Sequence, residues 1–117
     1  MKSSRHVKVR VAGEIVAETN HPRILFETGL PPRFYFPPED VSEDVLLPSD
    51  KKTECPYKGV ASYYSVQAGG ETREALVWYY PDPIPAADIE GHLCFFNEKV
   101  DLEVDGEAQQ RPQTQWS

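Results

Sequence analysis

The sequence holds only two cysteines, Cys55 and Cys94. Two are too few for a disulfide scaffold, so small secreted disulfide-rich folds are excluded and free thiols in a reducing compartment are expected. A single Cys55–Cys94 bridge stays open from sequence alone. Long apolar runs are also missing: no stretch nears the roughly 18 residues of a membrane span. Met1 to Arg10 has no apolar core, so no signal peptide is expected there and the cytoplasm is the expected location. Positive charge is scarce: 12 Lys and Arg stand against 19 Asp and Glu, a formal net charge of −7. That balance argues against nucleic-acid partners, whose phosphates need clustered Lys and Arg, and against docking on anionic lipid. Room for helices is lacking as well, because 11 prolines and 7 glycines interrupt the chain. Neither a Gly-rich phosphate loop nor alternating strands and helices can be found, which excludes a parallel nucleotide-binding sheet.

What is present reads as one β-rich domain. The 117 residues are 39% hydrophobic and 26% charged, which fits a single globular unit spanning 1–117. Val7, Val9 and Val11 alternate with Lys8 and Arg10, the period of a half-buried strand, and Gly13 turns the chain into Ile15 to Glu18. Ile24 to Phe26 and Arg33 to Phe36 are short strand candidates. Glu39 to Leu47 fits a strand or a single helical turn. Pro48-Ser49-Asp50 reads as a turn and Lys51 to Lys58 as a loop. Val60 to Val66 and Arg73 to Tyr80 form a second hairpin about Gly69-Gly70. Pro81 to Pro85 reads as a rigid turn and Ala86 to Gly91 as at most one turn of helix. Leu93 to Phe96 and Val100 to Val104 are further strands, Asn97-Glu98-Lys99 reads as a turn with charges at its tip, and 106–117 is a loose tail anchored only by Trp116. The expected fold is therefore all-β and mainly antiparallel, an open roll or two packed sheets with at most short helical turns.

Four runs carry a resemblance: Leu30-Pro31-Pro32-Arg33-Phe34-Tyr35-Phe36-Pro37; Thr53-Glu54-Cys55-Pro56-Tyr57-Lys58-Gly59-Val60-Ala61-Ser62-Tyr63; Trp78-Tyr79-Tyr80-Pro81-Asp82-Pro83; and Phe95-Phe96-Asn97-Glu98-Lys99-Val100-Asp101. In content and order they resemble the bacterial family called domain of unknown function 427. The resemblance implies a small β-rich fold of open, tent-like sheets. A nucleotidyltransferase label accompanies the family, but no established activity comes with it.

Several constellations carry chemistry. Cys55 and Lys58 are candidate catalytic residues, since an ammonium near a thiol favours the nucleophilic thiolate; against this, Cys55 reads equally as a small buried hydrophobe and Lys58 as a solvated charge. If Phe34 and Phe36 face the core, Arg33 and Tyr35 share the other face of their strand. Arg33, Tyr35, Lys58, Tyr63, Trp78 and Tyr80 then become candidate ligand-binding residues for a small anionic or ring-bearing molecule, with ordinary aromatic packing as the competing account. His92 and Cys94, with Cys55 and a remote His6 or His21, lack the paired spacing of a zinc site, so no metal and no cofactor is expected. Asp101, Glu103 and Asp105 share one strand face and read as a solvated polar face rather than a Mg²⁺ platform. The leading expectation is a small-ligand-binding domain. An enzyme using Cys55 and Lys58, or a structural or protein-interaction domain acting as monomer or homodimer, are the alternatives.

Overall fold

The computed structural model describes residues 3–56, 58–82 and 88–117. Its strands are β1 (Val7–Val11), β2 (Glu14–Thr19), β3 (Arg23–Leu25), β4 (Arg33–Phe36), β5 (Leu46–Cys55), β6 (Gly59–Ala68), β7 (Glu71–Tyr79), β8 (Leu93–Phe95), β9 (Asp101–Val104) and β10 (Glu107–Ala108). They form a sheet ordered β10-β9-β1-β2 and a second ordered β3-β4-β8-β7-β6-β5. The pairings within both sheets are antiparallel. Helical structure among the described residues is confined to 3-10 turns at Pro38–Asp40, Glu43–Val45 and Asn97–Lys99. The all-β antiparallel expectation holds.

Alternation explains which faces meet. Val7, Val9 and Val11 of β1 join Leu102 and Val104 of β9 in one apolar cluster with Phe36, Val66, Val77, Leu93 and Phe95 of the larger sheet. Each such side chain contributes about 1.5–3 kcal/mol by leaving water. Lys8 and Arg10 fall on the opposite face of β1, where Glu103 pairs with Arg10 at 2.7 Å and lies 3.9 Å from Lys8. The hydrogen bond from Arg10 leads in holding the Glu103 carboxyl below its ordinary range. Asp105 pairs with Arg5 and Asp101 with Arg111, so all three members of the Asp101, Glu103 and Asp105 row have basic partners on the protein surface.

The two hairpins turn where the glycines require. Ala12 and Gly13 both have positive φ, as do Gly69 and Gly70, the conformation of two-residue turns that match the twist of the strands. Three expectations need correction. The turn read at Pro48-Ser49-Asp50 and the loop read from Lys51 lie instead within β5, which pairs with β6 as far as Cys55↔Gly59. The register shifts between Ser49 and Lys52, so the turn-forming residues make a bulge. β5 is a sheet edge, and an edge tolerates Pro48 and charge on both faces. The charges of Asn97-Glu98-Lys99 do not all sit at an exposed tip either, because the Glu98 side chain is 0% exposed and faces Arg33. The 106–117 segment, finally, is held at several points: it supplies β10, the Gln109 N–H donates to the Leu102 carbonyl at 2.8 Å, and the Thr114 hydroxyl donates to Glu98 at 2.6 Å. Most of the turn read at Pro81 to Pro85, and the start of the one read from Ala86, lie outside the described residues.

Candidate functional site

The larger sheet buries both faces. Its second face carries Tyr35, Ala61, Tyr63, Trp78, Tyr80, Cys94 and Phe96, packed with Ile89 in a cluster separate from the main core. Strand register accounts for this. Tyr35 lies opposite Cys94, Cys94 opposite Trp78, Trp78 opposite Tyr63, and Tyr63 opposite Ser49. Directly opposed residues in antiparallel strands point to the same face, so residues far apart in sequence form one transverse row. Phe34 and Phe36 fall on the main-core side, as alternation requires, leaving Arg33 and Tyr35 on the side of the row.

A cleft of about 300 Å³ opens over the row. Trp78, Tyr63, Tyr80 and Phe96 form its aromatic floor, and Cys55, Lys58, Thr53 and Glu54 approach from the β5–β6 hairpin. Glu27 and Leu30 close another side, and Trp116 of the C-terminal segment a third. The volume is at the small end of the range for ligand sites, and aromatic rings share the lining with the charged groups of Glu27, Arg33, Glu54 and Lys58. Of the six candidate binding residues, Arg33, Lys58, Tyr63, Trp78 and Tyr80 line this one cleft, with Cys55 beside them. Tyr35 lies beneath it, 1% exposed, and its hydroxyl oxygen accepts the Trp78 indole N–H at 3.0 Å. Tyr35 is therefore a positioning residue for Trp78. Tyr35→Phe leaves that buried indole N–H without its acceptor, and a loss of about 1–2 kcal/mol in a urea melt is expected.

The cations of the cleft already have partners. Arg33 is buried and donates two parallel hydrogen bonds to Glu98, at 2.7 and 2.9 Å. Its guanidinium lies over Trp78 at 5.3 Å and over Trp116 at 5.9 Å from the ring centroids. Burial works against the charge of Glu98, but the hydrogen bonds from Arg33 and Thr114 outweigh it and hold this carboxyl below the ordinary range. Burial likewise opposes the Arg33 charge, and the hydrogen bond to Glu98 leads the interactions that more than restore it. Lys58 pairs with Glu27 at 2.5 Å, and this pair is less enclosed: Glu27 is 40% exposed at its side chain. Burial, the leading cause in each case, pushes the Tyr35 and Tyr80 hydroxyls well above the phenol range, so both stay neutral.

The two thiols differ. Cys94 is fully buried in the transverse row, and desolvation pushes its thiol far up, which makes it inert. Cys55 is half-buried on the cleft wall, and the Lys58 backbone N–H donates to its carbonyl at 3.2 Å while the Lys58 ammonium goes to Glu27. No histidine lines the cleft among the described residues. His6 meets Glu18, and His92 Nδ1 lies 3.1 Å from the Glu90 carbonyl. No three His, Cys, Asp or Glu residues come together as metal ligands would among the described residues. No helix there is long and apolar enough to cross a membrane.

Sequence reasoning missed Phe96, Trp116, Glu98 and Thr114. Phe96 was legible, since alternation from Cys94 places it on the same face. The other three reach the site through contacts that no local pattern reveals. The chain belongs to the family described as Domain of unknown function (DUF427), whose model matches residues 1–106. No curated protein matches it.

Proposed function

Starting from a family that brings no assigned activity, we propose that this protein binds a small planar ligand carrying an anionic group. The observation that carries the reading is the cross-strand row, which places Tyr63 and Trp78 side by side beneath a cleft also walled by Tyr80 and Phe96. Aromatic faces held rigidly in this way stack on planar rings at low entropic cost. Arg33 is withdrawn from the anion-gripping role its sequence position invites, because both of its parallel hydrogen bonds are committed to Glu98. It serves the site as a support, with indoles on it at 5.3 and 5.9 Å. The anion falls to Lys58. Its partner Glu27 is partly in water, so a carboxylate or phosphate on the ligand can take that carboxylate's place at small cost.

The test is a thermal-melting screen with ring-bearing anions, ring-bearing neutral molecules and ring-free sugar phosphates. At about ten times its dissociation constant a ligand adds roughly 1.4 kcal/mol, and the melting point rises by about 5 °C. The rise is expected with ring-bearing anions and not with sugar phosphates. Tyr63→Leu should remove it and Lys58→Gln should reduce it. If no ring-bearing compound moves the melting point, the reading fails; an equal rise in Lys58→Gln would remove the anion contact.

A second reading, an enzyme with Cys55 as nucleophile, is favoured by one observation: the half-buried thiol lies on the wall of the same cleft. Its base would have to be Glu27 or Glu54, the carboxylates lining that cleft. Retention of full ligand binding with loss of turnover in Cys55→Ser would distinguish it from simple binding.

A further inference from the structure

The segment carrying Trp116 lies beyond the residues that match the family, 1–106, yet it walls the cleft. Three contacts fix its course. Arg111 pairs with Asp101 at 3.1 Å, the Thr114 hydroxyl donates to Glu98 at 2.6 Å, and the Trp116 ring lies 5.9 Å from the Arg33 guanidinium. A tight local turn holds the indole in place: the Thr114 N–H donates to the Ser117 hydroxyl at 2.7 Å, and the Trp116 N–H to the Thr114 hydroxyl at 3.1 Å. Trp116 itself is 38% exposed, so its ring lines the cleft beside Arg33 while still reaching solvent. Trp116 is a planar ring seated on the cleft, the chemistry proposed for the ligand.

We propose that Trp116 is a built-in cap that occupies part of the ring site and must swing aside, with Thr114–Glu98 as its latch, before a bulky planar ligand enters. The latch is poised to open. The Thr114 hydroxyl adds one hydrogen bond to a carboxylate whose charge Arg33 already neutralises, so Glu98 stays satisfied when the segment leaves. The cation loses one aromatic face and keeps the other, Trp78. The cap thus makes entry selective by size: a compact molecule slips past the indole, and a wide one waits for it to move. This rests on the reading of the cleft as a binding site, and its test needs no ligand.

Cys55 lines the cleft and Cys94 is sealed, so thiol chemistry on the folded 117-residue chain reports on the cleft alone. Two reagents are used: compact iodoacetamide and 5,5′-dithiobis(2-nitrobenzoate), a bulky dianion whose two planar rings are joined by a disulfide. In Trp116→Ala the rate with the bulky reagent should rise about fivefold relative to wild type, the scale of losing a partly exposed cation–π contact. The rate with iodoacetamide should stay within about twofold, since the thiol's own environment is unchanged. Thr114→Val should give a smaller rise in the same ratio, and Trp116→Phe should stay near wild type. An unchanged ratio of the two rates in Trp116→Ala, whether neither rate moves or both move together, overturns the cap. A cap that opens this way while no compound shifts the melting point would leave the cap standing and the ligand reading failed; the reverse pattern would do the opposite.

Discussion

Glu98→Gln is expected to cost the fold about 3–5 kcal/mol, because it leaves the Arg33 guanidinium buried without a counter-charge. The Glu98 side chain is 0% exposed and that of Arg33 is 6% exposed, and two parallel hydrogen bonds join them. Neutral Gln still accepts one bond from Arg33 but supplies no charge, and its own amide N–H₂ faces a cation. Urea unfolding should show a lower midpoint with an unchanged slope. The double variant Arg33→Met with Glu98→Leu should recover much of the loss, since replacing both charges with apolar groups removes their desolvation together. A single-variant loss below about 1 kcal/mol would mean that water reaches the pair. The acid limb of stability gives an independent check. The folded Glu98 carboxyl lies below its unfolded value of about 4.3, so its contribution is complete above that value and is lost as pH falls through the folded value. Wild type should therefore lose stability more steeply than Glu98→Gln on going from about pH 5 to pH 3. The same substitution removes the carboxylate that holds Thr114, so the C-terminal segment should loosen as well.

That ion pair also marks the boundary of what the sequence made legible. Local alternation carried the strands: Val7, Val9 and Val11 read correctly as one inward face, and so did the split of Phe34 and Phe36 from Arg33 and Tyr35. The glycines at 13, 69 and 70 read correctly as turns because their backbone conformation is what glycine permits. β5 escaped notice because an edge strand needs no apolar face, and its bulge uses Ser49 and Asp50, which otherwise make turns. The site was half legible for the same reason. Alternation shows which residues share a strand face, but not which strands are neighbours. Trp78 and Tyr63 meet through the register of β6 with β7, and Tyr35 comes under Trp78 only because β8 intervenes with Cys94. Glu98 looked like a solvated charge because its partner is 65 residues away, and the placement of Trp116 depends on a fold-back with no periodic signal.

Gly69→Ala is expected to cost about 3 kcal/mol through two additive penalties, left-handed strain and backbone overlap. Gly69 has φ +58, and a Cβ there would lie 2.5 Å from the Ala12 carbonyl oxygen and 2.6 Å from the Ala12 Cβ. Ala12 is the first turn residue between β1 and β2, in the smaller sheet, while Gly69 turns the chain from β6 to β7, in the larger one. The missing side chain is thus where the tips of two hairpins, one from each sheet, close on each other. Relief cannot come from a rotamer change, because the obstructing atoms are backbone oxygen and a Cβ. One tip must retreat, and the Gly69 N–H bond to the Glu14 carboxylate at 3.1 Å would lengthen with it. Gly70→Ala provides the control: its φ is +79 but no atom lies within 4 Å of its added Cβ. It should show only the conformational cost, about 1–2 kcal/mol. Urea midpoints of the two variants measured side by side separate the terms. Equal losses would mean that the hairpin tips yield freely; a larger loss at Gly69 would establish their contact as a fixed joint between the sheets. The cleft lies on the far face of the larger sheet, so its thiol reactivity at Cys55 should be unchanged in both variants while they remain folded.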